Sequence, residues 1–143
     1  MVNQNETLWS IAEGKMDNGN PYILRFREFY ATEQEMQNYS SLVEIIWIYE
    51  DSGSGMPDRK TYEKMNHFED VLEDKIESQE ICLLTTSITG NQKRIWQIYA
   101  ANSDLFMQEL NKAMENQEVL PLQIEIFRDE EWNGYKEIVG LVQ

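Results

Sequence analysis

One cysteine and one histidine occur in 143 residues, and that scarcity removes several kinds of chemistry at the outset. Cys82 sits inside the apolar run Ile81-Cys82-Leu83-Leu84, so an intramolecular disulfide is excluded and the thiol reads as an inert member of a core strand. No Cys-x-x-Cys or His-x-x-x-His pair accompanies His67, which leaves the common zinc patterns unfilled. Glu63 and Asp70 lie about a helical turn on either side of His67, but bundle sites of that type draw ligands from several helices, so His67 is expected at the surface. A Ser or Cys nucleophile needs a base held by a third group, and one helical histidine with one core-strand cysteine does not supply the set. No catalytic residue, metal or cofactor is therefore expected. Paired-carboxylate catalysis gains no positive support, because the acids cluster on faces that read as wet.

Long apolar runs are also missing. With no 18-residue apolar stretch and no charged-then-apolar leader, the expected setting is the cytoplasm. Bases are few: 12 Lys and Arg against 26 Asp and Glu give a net charge of −14. Such a balance opposes direct nucleic-acid binding and anionic lipid, and it favours encounter with a basic protein partner by electrostatic steering. The bland alternative is that the charge serves solubility.

What is present suffices for one domain across residues 1–143. A chain of this length buries roughly 68–70% of its unfolded surface, and 41% hydrophobic residues, with 11% aromatic, argue against disorder. Leu8 to Met16 and Pro21 to Tyr30 read as strands joined by the hairpin signal Asp17-Asn18-Gly19-Asn20. Tyr22, Leu24 and Phe26 share one face of the second strand, and Arg25 and Arg27 share the other, which reads as wet. Residues 31–40 are polar and read as a surface connection. Leu42 to Tyr49 is the expected central strand, buried on both faces.

Between Asp58 and Ser78 an apolar stripe of Tyr62, Met65, Phe68, Leu72 and Ile76 marks a helix, with Asp58 as its N-cap. Two strands, 81–88 and 93–100, then form a hairpin around Thr89-Gly90-Asn91-Gln92. Asn102 or Ser103 caps a second helix whose inner face carries Phe106, Leu110, Ala113, Met114 and Gln117, and Val119 to Phe127 is the last strand. The final six elements spell βαββαβ, a ferredoxin-like split βαβ. The expectation is an α+β domain with an N-terminal β-hairpin (residues 1–40), a ferredoxin-like core (41–128) with both helices on one face of a four-stranded antiparallel sheet, and a C-terminal tail (129–143).

The strand–turn–helix junction Tyr49-Glu50-Asp51-Ser52-Gly53-Ser54-Gly55-Met56-Pro57 is the sharpest local signal. Gly55-Met56-Pro57, then Glu69-Asp70-x-Leu72, Thr89-Gly90, the strand with Arg94 and Tyr99, and Trp132-x-x-Tyr135 occur in an order that resembles the bacterial family called domain of unknown function 695. The marks cover roughly residues 40 to 136, and the resemblance carries no activity, substrate or catalytic residue with it. The arrangement is also loosely similar to small acidic inhibitors of ribonuclease E, an analogy of fold.

Three places invite a functional reading. Gly53-x-Gly55 before a helix offers backbone N–H groups to an anion, with Asp51, Gly53, Gly55, Met56 and Arg59 as the candidate ligand turn; Glu50 and Asp51 oppose that, and a structural turn is the competing reading. Glu69, Asp70, Glu73, Asp74, Glu77 and Glu80 crowd the end of the first helix while Arg59 and Lys60 open it. That order is backwards for the helix dipole, at about 0.3–1 kcal/mol per exposed charge, and a local rule broken without compensation can mark a functional surface. Asp129-Glu130-Glu131 precedes Trp132 and Tyr135, a second acidic cluster beside aromatics that either anchor a partner or pin the tail. The leading expectation is a non-enzymatic binding or regulatory module that engages a basic protein through Asp70, Glu73, Asp74, Glu77, Asp129, Trp132 and Tyr135. The alternative is an enzyme or a small-ligand or anion binder using a pocket at the Gly53–Asp58 turn.

Overall fold

A computed structural model describes residues 9–28 and 32–142. The order is β1 (Trp9–Lys15), β2 (Pro21–Arg27), α1 (Glu33–Asn38), β3 (Ser41–Ile48), α2 (Arg59–Val71), β4 (Cys82–Gly90), β5 (Lys93–Ala100), α3 (Ser103–Ala113), β6 (Leu122–Arg128) and α4 (Asn133–Gly140). The expected strand ends at Leu8 and at Phe29 and Tyr30 lie outside the described residues.

All strand pairs are antiparallel, in one six-stranded sheet ordered β1-β2-β4-β5-β3-β6. Of the two expected places for the β1–β2 hairpin, extending the four-stranded sheet or covering it, the structure shows extension: β2 joins the edge through Leu24 opposite Ile88, which brings the sheet to six strands. β3 and β5 are neighbours, with Ile45 opposite Trp96 on one side and Ile124 on the other.

Alternation along the strands builds two apolar layers. On one face Val43, Ile45, Trp47, Trp96 and Ile98 meet Met65, Phe68, Leu72 and Ile76 of α2 and its extension, with Phe106 and Leu110 of α3. Phe68 stands edge-on to Trp96 at 5.1 Å. On the other face Leu24, Phe26, Leu42, Leu83 and Tyr99 meet Tyr39, Trp132, Tyr135 and Val139. β3 is sealed on the first face only; on the second, burial fades from Leu42 at 5% exposed to Ile48 at 50%. Tyr62 ends the α2 stripe in solvent at 40%, and Gln117 lies beyond α3, exposed.

Both helix starts follow local chemistry. Asp58 accepts from the Thr61 N–H at 2.7 Å, and Asn102 accepts from the Leu105 N–H at 3.0 Å. After Val71 the helix widens into a π turn over Leu72–Ile76 and closes with a 3-10 turn at Glu77–Gln79. A π turn rotates less per residue than an α turn, so residues four apart stay nearly in line. Glu69, Glu73 and Glu77 accordingly keep to one side, toward β2.

Two segments depart from the sequence reading. Part of 31–40 is α1, capped by Thr32, whose hydroxyl accepts from the Glu35 N–H. The tail contains α4, whose Val139 and Tyr135 are buried in the second layer. Leu72, 2% exposed beneath the π turn, tests the first layer. Leu72→Ala is expected to cost about 2–5 kcal/mol in urea denaturation; a change below about 0.5 kcal/mol, the size of an ordinary surface substitution, would contradict this packing.

Candidate functional site

The face of β2 that alternation marks as wet is covered. Arg27 is 5% exposed and pairs with Glu77 at 2.7 Å, while Arg25 pairs with Glu69. Glu77 also accepts the Leu84 N–H at 2.6 Å, and Glu69 accepts the Trp96 indole N–H at 3.0 Å. Both guanidinium groups stand over the Trp9 ring, at 4.6 and 4.5 Å. The reversed charge order of α2 therefore has its compensation in β2, which sequence spacing alone does not reveal.

The other acids of the cluster behave differently. Asp70 and Asp74 are exposed and form no ion pair among the described residues. Glu73 is half-buried and reaches Arg27, already engaged by Glu77, only at 3.9 Å. Burial first, and then the neighbouring Glu69 carboxylate, push the Glu73 pKa above the ordinary glutamate value.

A polar groove of about 300 Å³ opens between α2, β2, β4 and β5, with Asp70 and Glu73 among its lining. Arg94 closes its floor at 4% exposed. It donates through Nε to Thr89 Oγ1 at 2.7 Å and through Nη1 to Asn66 Oδ1 at 3.2 Å. Tyr62 and Trp96 present ring faces to it at 5.1 and 5.7 Å. Burial pulls the Arg94 pKa below its usual value, and Glu69 partly opposes that. In the sequence Arg94 stands out only within the family resemblance, since Lys93-Arg94 ahead of Ile95-Trp96 has the pattern of an ordinary basic pair at a strand start.

The Gly53–Asp58 turn spends its amides on itself. Asp51 Oδ1 accepts from Gly53 N and Gly55 N, both at 2.8 Å. Gly55 has φ +80°, and its carbonyl accepts from Gln92 N at 2.8 Å and Tyr49 Oη at 2.7 Å, docking the turn on the β4–β5 hairpin. A Cβ on Gly55 would lie 2.9 Å from Asn91 N. Burial, ahead of the repulsion from Asp51, raises the Tyr49 pKa to about 12. Met56 is half-buried, and Arg59 points away to pair with Glu63 at 3.1 Å.

Of the second acidic cluster, Asp129 is drawn inward while Glu130 and Glu131 stay exposed. Asp129 accepts from Tyr99 Oη at 2.7 Å and from the Asn133 and Gly134 N–H groups at 2.8 and 2.9 Å. Trp132 is fully buried, stacked on Tyr99 at 4.5 Å, and donates to the Tyr39 carbonyl at 2.9 Å. Tyr135 donates to the Arg27 carbonyl. These residues hold α4 to the sheet, and the structure does not bring them together with Asp70, Glu73, Asp74 and Glu77.

His67 is exposed beside Lys60 and Lys64, on a cavity of about 270 Å³ with Phe68, Met114 and Leu120 in its wall. Lys64 pairs there with Glu118 at 2.8 Å. Among the described residues no three His, Cys, Asp or Glu side chains converge as metal ligands would, and no helix is long and apolar enough to cross a membrane.

The model of the family of unknown function DUF695 matches residues 8–139. The chain belongs to this family. Membership extends the resemblance through the N-terminal hairpin, so β1 and β2, with Arg25 and Arg27, fall within the family's span. No curated protein and no solved structure matches the chain.

Glu73 gives the site a pH signature. A glutamate whose folded pKa lies above its unfolded value withholds stability when ionised, and that stability returns as pH falls through the folded pKa. Glu73→Gln should therefore stabilise this DUF695 member at neutral pH. The gain should shrink through the mildly acidic range and disappear below the ordinary value of 4.5. Thermal melts across pH check this; a gain independent of pH would contradict it.

Proposed function

We propose that the protein is a non-enzymatic binding module of the cytoplasm that engages a basic protein partner through the acidic rim of the α2 groove. The observation that carries this reading is the division of the acids on α2. Glu69 and Glu77 are neutralised by β2 arginines, whereas Asp70 and Asp74 form no ion pair among the described residues and Glu73 is only partly served. Unpaired carboxylates beside a concave polar surface, on a chain of net charge −14, favour capture and steering of a cation. The internal use of the turn amides by Asp51 speaks against the anion-binding alternative at Gly53–Asp58.

For the architecture, the proposed finer reading is a ferredoxin-like split βαβ unit to which the β1–β2 hairpin adds two strands. The order β4-β5-β3-β6 and the common layer shared by α2 and α3 support it.

The test is charge reversal at the two exposed acids. Asp70→Lys with Asp74→Lys should leave the melting curve nearly unchanged and slow association with the partner recovered from native lysate, most at low salt. Unchanged association kinetics at low salt would overturn the reading.

A further inference from the structure

We infer that the floor of the α2 groove is a carboxylate site built on Arg94, so that the basic partner enters by its chain end, with a C-terminal carboxylate on Arg94 and a basic terminal side chain on Asp70 and Glu73. The rim half of this inference rests on the binding reading above; the floor half rests on Arg94 itself.

Buried charges are rarely left without an opposite charge. Arg27, Glu69 and Glu77 obey that rule through mutual pairing. Arg94, at 4% exposed, does not: its hydrogen bonds go to the neutral side chains of Thr89, Asn66 and Tyr62, and no carboxylate pairs with it among the described residues. Glu69 is the nearest compensating charge, and its two oxygens are occupied, one by Arg25 and the other by Trp96. The bonds to Thr89 and Asn66 engage Nε and Nη1 at the groove floor, where Ser87, Asn66 and Arg25 also line the wall with donors. A wall rich in donors around a cation suits an acceptor-only group, and a planar guanidinium matches a carboxylate best.

The groove also has polarity along its length. Asn66, beside Arg94, and Glu73 are seven residues apart on α2 and its extension, about 10 Å along the axis. A terminal lysine or arginine carries its two charges in that sense, negative at the chain end and positive at the tip of the side chain. A carboxylate on Arg94 would place the side chain's cation toward Glu73, whose ionised form is disfavoured in its absence. A basic segment in the middle of a chain brings no carboxylate for the floor.

Three synthetic tetrapeptides test this on the intact protein: one ending in arginine as the free acid, its C-terminal amide, and one ending in alanine as the free acid. Titration is followed by calorimetry and by the Arg94 Nε–H resonance in NMR spectra, which needs no variant of a buried residue. The arginine acid should bind at least about tenfold more tightly than its amide, about 1.4 kcal/mol, and both acids should move the Arg94 resonance while the amide does not. Equal affinity of the arginine acid and amide would overturn the carboxylate floor and leave the acidic rim standing. An alanine acid that binds and shifts Arg94 as well as the arginine acid would keep the floor and remove the rim from the ligand site. No shift of Arg94 with any peptide would overturn the inference outright.

Discussion

The contact between β2 and the widened end of α2 organises the molecule. Arg27 and Glu77 are both almost fully buried, and Glu77 also takes the Leu84 N–H beside the bulge in β4. One carboxylate thereby ties the hairpin strand, the helix end and a central strand. The carbonyl of Arg27 accepts from Tyr135, so the same residue fastens α4 on the opposite face of the sheet. A buried pair of this kind is not a large net source of stability, since desolvation offsets much of the attraction; what it imposes is register, because either charge left alone is costly.

That constraint explains why the acids of α2 must be read in two groups. The π turn keeps Glu69, Glu73 and Glu77 in line, and the strand opposite supplies only two arginines for them. The middle carboxylate is left half-served, and the exposed pair beside it faces solvent. A structural network thus leaves a negative margin next to a groove, and Arg94 adds a positive floor to the same groove. The pairs that order the fold and the rim and floor proposed for a ligand come from one set of side chains, with different members in each.

Much of the fold was legible because it rests on local patterns. Alternation marked the strands, the Asp17-Asn18-Gly19-Asn20 turn marked the hairpin, and Asp58 and Asn102 marked helix starts that the structure shows capped as expected. α4 was not legible: it begins after Trp132, a residue in the left-handed conformation whose side chain does not cap the helix, and its first amides are met by Asp129 upstream. α1 is six residues long and buries little, so it leaves no periodic trace. The site was hidden for a different reason. Alternation marks Arg25 and Arg27 as a polar face, and a polar face covered by matching carboxylates has the same pattern as one covered by water. Only the packing of α2 distinguishes them.

The most direct measurement is a double-mutant cycle between Arg27 and Glu77, with stability read from urea denaturation of Arg27→Met, Glu77→Leu and the pair. If the buried pair fixes how β2 meets α2, each single change leaves an uncompensated buried charge and costs about 3–5 kcal/mol, and the double variant recovers most of that loss. Single changes that cost less than about 0.5 kcal/mol, or that add without coupling, would contradict the account and return the acids of α2 to the status of a solvated surface.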